Sequence, residues 1–398
     1  MSRPDYTGPA LFSYGFRPFF LAAIVFALGV IPAWLLIWRG TLALSAPFPA
    51  IDWHVHEMIF GYGAAVVAGF LFTAVPNWTG SMPTRGWPLM VLLAFWVAGR
   101  LGMAGLLGLG PLGLLAVDCT FLLAVFAMIA REIVAGRNWR NLKVLVPVGL
   151  LALSNIVFHL EVMTAGTADT GRRLGIAVLV FLVMLIGGRI IPSFTRNWLA
   201  KRGAARMPVP FNRFDAACLG AGAAALVAWV AAPTTPVTGT LAALAGVLHL
   251  ARLARWQGQA SWPSPLLLML HVAYLFVPAG LAGVALEGFG LAGPQVAAHL
   301  FGIGLIGGMT VAVMMRATMG HTGRDLVAGR LLTLAFALVA ATVAARLAGP
   351  EGGVTLAAAL WTAGFALMLW RVGPWLALPR AGRKRANPAP TGATNPAE

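Results

Sequence analysis

The sequence predicts an all-α fold, a polytopic transmembrane bundle of about twelve helices. Three observations predict it. Hydrophobic residues make up 59% of the 398 residues and charged residues only 10%, against about 25% charged in ordinary globular domains. The apolar residues fall in runs of about 20, the length that crosses a ~30 Å hydrocarbon core as a helix. A membrane barrel would instead show ~10-residue segments of alternating polarity.

The runs lie at 16–38, 54–76, 87–108, 111–130, 142–164 and 174–194, then at 214–232, 237–253, 265–286, 294–318, 331–347 and 354–376. The first is long enough to span and lacks a small-residue cleavage site, so it reads as an uncleaved anchor. The second opens on His54, His56 and Glu57. A short glycine-rich turn joins the third to the fourth, and these carry Arg100 and Asp118 at similar depths. An ion pair within that hairpin is the economical account of two charges inside apolar helices. Spans two and ten share a histidine followed by Gly-x-Gly (His56 with Gly61 and Gly63, His299 with Gly302 and Gly304). A repeat of four helices and chance in a glycine-rich chain both account for that.

Basic residues orient the stack. Arg131, Arg137, Arg140 and Lys143 lie between spans four and five, and Arg196, Lys201, Arg202, Arg206 and Arg213 between six and seven. Arg316, Arg324 and Arg330 follow span ten, and Arg380, Arg383, Lys384 and Arg385 follow span twelve. Both termini are therefore expected in the cytoplasm, with residues 1–378 one membrane domain and 379–398 a disordered tail. The net charge of +16 fits basic loops facing an anionic leaflet rather than nucleic acid. Cys119 and Cys218, the only cysteines, form neither CxxC nor CxxCH, so zinc-knuckle and covalent c-type haem sites are excluded.

Seven histidines carry the chemistry. His54, His56, His159 and His299 gather near the outer level on three helices, and His249, His271 and His321 lie on the inner side. Imidazole binds haem iron and copper, and bundles build such sites from facing helices. His54 and His56 are two apart, so a regular helix points them ~200° from each other. They then serve one metal only if the segment is not helical there. His56 and His299 are the expected members of an outer metal site, with His159 also in reach. Glu57 could orient a histidine by a hydrogen bond or relay protons, and solvation in the interfacial layer at a helix start that favours carboxylates accounts for it equally well. His249 and His271 sit at similar depths on successive helices and could face each other. Gly302-Ile-Gly304-Leu-Ile-Gly307 lacks the preceding strand that a dinucleotide site needs, and Met309, Met314, Met315 and Met319 read as core packing rather than soft copper ligands.

Several strings resemble the NnrS family of bacterial membrane proteins. They are Tyr14-Gly-Phe-Arg-Pro-Phe-Phe20, Trp53-His-Val-His-Glu-Met-Ile-Phe-Gly61, Pro76-Asn-Trp-Thr-Gly80, Gly188-Arg-Ile-Ile-Pro192, Leu270-His-Val-Ala-Tyr274, and Arg316-Ala-Thr-Met-Gly-His-Thr-Gly-Arg324. The resemblance implies a multi-pass protein of the bacterial inner membrane that carries non-covalent b-type haem and copper. It implies a part in the nitric oxide response, in resistance to nitrosative stress and in denitrification. It also makes His54, His56, His271, His299 and His321 candidate cofactor ligands, while the shared depth, not the resemblance, makes His56, His159 and His299 candidate metal ligands. Nitric oxide is the expected small-molecule ligand and the lipid bilayer the expected surroundings. No loop is long enough for an electron-entry domain, which leaves binding, sensing and reduction of nitric oxide all open. The competing class is a twelve-helix secondary transporter, which predicts helices broken near the midplane with ionisable residues at the break.

Overall fold

In the computed structural model, residues 6–44, 48–349 and 351–379 are described. The expected tail, apart from Pro379, and the basic group from Arg380 onward lie outside them. No strand occurs among the described residues. Among the described residues eleven helices are long and apolar enough to cross a membrane, and a shorter apolar one brings the set to the expected twelve.

In chain order they are α1 (Phe16–Trp38), α2 (Ala50–Thr79), the short α3 (Trp87–Met103), α4 (Pro111–Ala135), α5 (Asn141–Ala165) and α6 (Asp169–Ala200). There follow α7 (Arg213–Ala231), α8 (Pro236–Ala254), α9 (Pro265–Gly288), α10 (Pro294–His321), α11 (Gly329–Leu347) and α12 (Gly352–Ala377). Helix α3 stops at Met103 rather than running to residue 108. The chain turns there through Gly105 (φ +76°) and Gly108 (φ +60°), left-handed positions that a helix cannot include. Proline opens α4, α8, α9 and α10 in the first turn, where its missing N–H leaves nothing unsatisfied.

The contacts fall into a cycle with a period of four helices. Within each set of four, the first packs on the second and the third on the fourth (α1 on α2 and α3 on α4, α5 on α6 and α7 on α8, α9 on α10 and α11 on α12). The fourth helix of each set then packs on the first of the next: α4 on α5, α8 on α9, and α12 back on α1. The second helices α2, α6 and α10 meet around the middle. Each is interrupted by a π-helical stretch, at Glu57–Gly63, Val183–Gly187 and Leu300–Gly307. The shared His and Gly-x-Gly of spans two and ten thus mark equivalent places in a bundle with pseudo-threefold organisation.

A π-helical stretch weakens the regular hydrogen-bond ladder, and inside a membrane no water makes up the difference. Neighbouring helices do so here. The Trp96 indole N–H of α3 donates to the Gly61 carbonyl (2.9 Å), and Arg252 Nη1 of α8 donates to the Met184 carbonyl (3.0 Å). The Tyr62 hydroxyl of α2 meets Thr310 Oγ1 of α10 across the centre.

Small residues set how closely the helices approach. A Cβ on Gly171 would lie 2.6 Å from the Phe158 Cα, and one on Gly288 would lie 2.5 Å from the Gly239 nitrogen. Backbone cannot give way as a side-chain tip can. Gly171→Ala is therefore expected to destabilise the bundle by about 1–3 kcal/mol, read as a lower melting temperature of the detergent-solubilised protein. An unchanged melting temperature would show that α5 and α6 separate without cost.

Candidate functional site: a buried polar cluster and a histidine-lined cavity

The regular helical turn Ala50–His56 sends His54 and His56 to different sites. This fulfils the geometric condition for separate roles. His56 turns towards α4 and α5. Its Nδ1 lies 3.0 Å from Glu57 Oε1, and its Nε2 lies 3.1 Å from Asp118 Oδ2 and 2.9 Å from Asn155 Oδ1. His159 Nε2 approaches the same Asp118 oxygen at 3.2 Å, and Asn155 Nδ2 donates to it at 2.8 Å. Asn155 and His159 are four residues apart and so share one face of α5.

Arg100 reaches into this group from α3. Its Nη1 pairs with Glu57 Oε1 and its Nη2 with Asp118 Oδ1. The expected Arg100–Asp118 pair is thus present, but it is not confined to its hairpin. The guanidinium is shared with Glu57 of α2, and the Asp118 carboxylate is shared with two histidines and an asparagine. Glu57, Asp118, Asn155, His56 and His159 are all buried, and the Arg100 side chain is only 10% exposed. Glu57 therefore lies inside the bundle rather than in the interfacial layer. With neutral imidazoles, two carboxylates and one guanidinium leave a single negative charge. His56, Asp118 and His159 also each offer a ligand atom, all within 4.8 Å of one another.

His54 faces the other way. Its ring lies tilted against Trp34 of α1 with ring centroids 4.4 Å apart, and it lines a cavity of about 780 Å³. Helices α1, α2, α6, α10, α11 and α12 enclose this space, and His299 of α10 lines it too. The walls carry Trp34, Trp38 and Trp361, and the guanidinium-bearing Arg172 and Arg346 border it. His299 Nδ1–H donates to the Gln295 carbonyl at 2.6 Å, which leaves Nε2 as an acceptor. His54 Nδ1 is buried with no hydrogen-bond partner among the described residues. A smaller space of about 400 Å³ adjoins it and shares Trp38, Ile51 and Arg172. Arg172 pairs there with Asp169 and lies 3.9 Å from Asp52.

The four histidines expected at the outer level thus divide into two pairs, His56 with His159 and His54 with His299. The expected pairing of His56 with His299 is not made, because the two side chains lie in different surroundings. The histidines of the other end are not brought to one site either. His249 Nε2 lies 3.0 Å from the Cys218 carbonyl and its Nδ1 lies 3.0 Å from the Tyr274 hydroxyl. Arg252 bridges that same hydroxyl and Asp215. Both ring nitrogens of His249 are therefore engaged, and it does not face His271. His271 Nε2 meets Thr195 Oγ1 at 2.9 Å, and its Nδ1 has no partner among the described residues. His321, at the end of α10, stacks on Tyr14 at 5.5 Å. Met309, Met314, Met315 and Met319 are all buried and belong to the apolar core.

Sequence reasoning missed Asn155, Arg172 and Arg346. The four-residue spacing of Asn155 and His159 was a usable signal. Nothing local marks the two arginines, which border the cavity only because α6 and α11 converge on it.

These features define a multi-pass helical membrane protein with two histidine-bearing sites inside the bundle. The profile of one family, described as NnrS protein, matches residues 10–380, nearly the whole chain. The chain belongs to the NnrS family, and membership supports a membrane protein of the nitric oxide response. No curated protein matches the sequence.

Removing the shared cation should expose the cost of the cluster. Arg100→Met leaves two buried carboxylates without their guanidinium and is expected to cost about 3–5 kcal/mol. The measurement is the melting temperature and monodispersity of the solubilised protein. Adding Glu57→Gln and Asp118→Asn to Arg100→Met should recover part of the loss, whereas strictly additive losses would show that the three groups are not coupled.

Proposed function

We propose that this chain is a haem- and copper-binding protein of the bacterial inner membrane that binds or senses nitric oxide and protects against nitrosative stress in denitrifying metabolism. The reading has both termini in the cytoplasm, following the basic loops, and a single membrane domain. The observation that carries it is the cavity bearing His54 and His299.

The cavity suits a haem on several counts. Its volume is within the range of cofactor pockets, and tryptophan faces offer flat apolar surface. An unpartnered buried imidazole nitrogen on His54 and a histidine fixed with Nε2 free on His299 are the donors that iron takes. Arg172 and Arg346 are suited to pair with the carboxylates of a macrocycle. In this reading His54 and His299 hold the haem, the tryptophans exclude water from it, and the arginines fix its orientation. A haem there would supply an iron atom that could take nitric oxide in exchange for one of the two imidazoles. Nitric oxide is small, uncharged and membrane-soluble, so it reaches such a site through the apolar walls. The copper of this reading falls to the buried histidines outside the cavity. His271 has, besides the resemblance, a buried Nδ1 without a partner among the described residues, and His321 has the resemblance as its support.

The test is haem per chain in protein purified from haem-replete cells, measured after extraction, with nitric oxide difference spectra on the same samples. His54→Ala and His299→Ala should each lower haem content at least tenfold, and Arg346→Ala should reduce retention without abolishing it. Full haem content in both histidine variants would overturn the assignment of the cavity.

A further inference from the structure

We propose that His56 Nε2, His159 Nε2, Asp118 Oδ2 and Asn155 Oδ1 form a binding site for one divalent first-row cation of the copper(II) or zinc(II) type, separate from the haem cavity. The proposal rests on the reading that the chain holds a metal besides haem, and it names the atoms.

The first argument is crowding on one oxygen. Asn155 Nδ2, His56 Nε2 and His159 Nε2 all approach Asp118 Oδ2, at 2.8, 3.1 and 3.2 Å. The other carboxylate oxygen is taken by Arg100. With His56 neutral and its Nδ1–H on Glu57, Nε2 has no proton for either Asp118 Oδ2 or Asn155 Oδ1, so its lone pair faces two acceptor oxygens. A cation among them changes that arrangement, because the two imidazole nitrogens then direct lone pairs at the metal and only the asparagine still donates to the oxygen.

The second argument is size. Metal–ligand bonds of 2.0–2.2 Å in a tetrahedral site place neighbouring ligand atoms ~3.3 Å apart. The two histidine–carboxylate separations, 3.1 and 3.2 Å, lie close to that edge, the 2.9 Å from Asn155 Oδ1 to His56 Nε2 falls about half an ångström short of it, and the ligand atoms of His56, Asp118 and His159 all lie within 4.8 Å of one another. Small adjustments of side chains open the site without moving a helix.

The third argument is charge and orientation. Glu57, Asp118 and Arg100 leave one negative charge in a dry interior when the imidazoles are neutral, which favours a cation. Glu57 Oε1 sits 3.0 Å from His56 Nδ1, the carboxylate–histidine arrangement that fixes a ligand imidazole with its other nitrogen towards the metal. The donor set contains two imidazoles and two oxygens and no sulfur. That favours copper(II) or zinc(II) over the softer copper(I). His299 takes no part, and His56 is separated from the haem ligand of the proposed reading, His54, by a single residue.

The experiment uses the full chain in detergent, stripped with chelator and titrated with copper(II) or zinc(II), with haem measured on every sample. Bound metal is counted by mass spectrometry, and pulsed electron paramagnetic resonance of the copper(II) form counts coupled imidazoles. One ion per chain with two imidazoles is expected. His159→Gln and Asp118→Asn should weaken binding at least tenfold, and Glu57→Gln by about 10–100-fold. His54→Gln and His299→Gln should leave the copper signal unchanged while haem falls. A folded wild-type chain that takes up neither ion stoichiometrically overturns the proposal. So does a copper signal lost in His299→Gln yet retained in His159→Gln. Where a variant fails to fold, the imidazole count of the wild-type chain decides. Copper bound with two imidazoles in a chain that holds no haem overturns the cavity reading alone.

Discussion

The guanidinium of Arg100 between Glu57 and Asp118 is the interaction on which the first third of the bundle depends. Burying two carboxylates in a bilayer-sized interior is prohibitive unless they are compensated and hydrogen-bonded. One cation compensates both, and the histidines and asparagine occupy the remaining oxygen positions. Because the participants come from α2, α3, α4 and α5, satisfying the charges fixes how four helices meet. The polar cluster is therefore also a packing device, and it joins the first set of four helices to the second.

The same device recurs at the next seam with the chemistry rearranged. Arg252 of α8 bonds Asp215 of α7, the Tyr274 hydroxyl of α9 and the Met184 carbonyl of α6. At the third seam Arg17 of α1 donates to the carbonyls of Leu376 and Leu378 at the end of α12. Each set of four helices is thus stitched to the next by a buried arginine or its partners. Only the first seam brings two histidines onto a carboxylate. The second engages its histidine in hydrogen bonds on both ring nitrogens, which removes His249 from the candidate ligands.

The π-helical stretches tie this architecture to the sites. Those of α2 and α10 begin directly after His56 and His299. They concentrate glycine where helices cross the centre; the Gly61 carbonyl of α2 is met by Trp96 of α3, and the Ile306 and Gly307 carbonyls of α10 by Thr310 of α10 itself. His56 and His299 consequently sit where regular helix gives way to a π-helical form. The apolar wall of the cavity and the polar wall of the cluster are opposite faces of one short turn of α2, so two environments of contrasting polarity lie a few residues apart.

The sequence by itself determined the class of fold, the twelve helices and most of their limits. Those follow from hydropathy and length, which a bilayer imposes locally on each segment. It also determined that His54 and His56 diverge wherever their segment is helical, a condition that the structure meets, and it carried the strings that mark the family. Which histidine meets which partner was decided only by the tertiary structure. His56 and His299 occupy corresponding places in their helices and looked alike in sequence. The cyclic packing nevertheless turns one towards Asp118 and the other towards His54. Arg100 and Asp118 were legible as a pair because a short turn fixes their helices side by side. Glu57, Asn155 and His159 could join them only through contacts between α2, α3, α4 and α5, and such contacts depend on crossing angles and glycine approaches that no local pattern records.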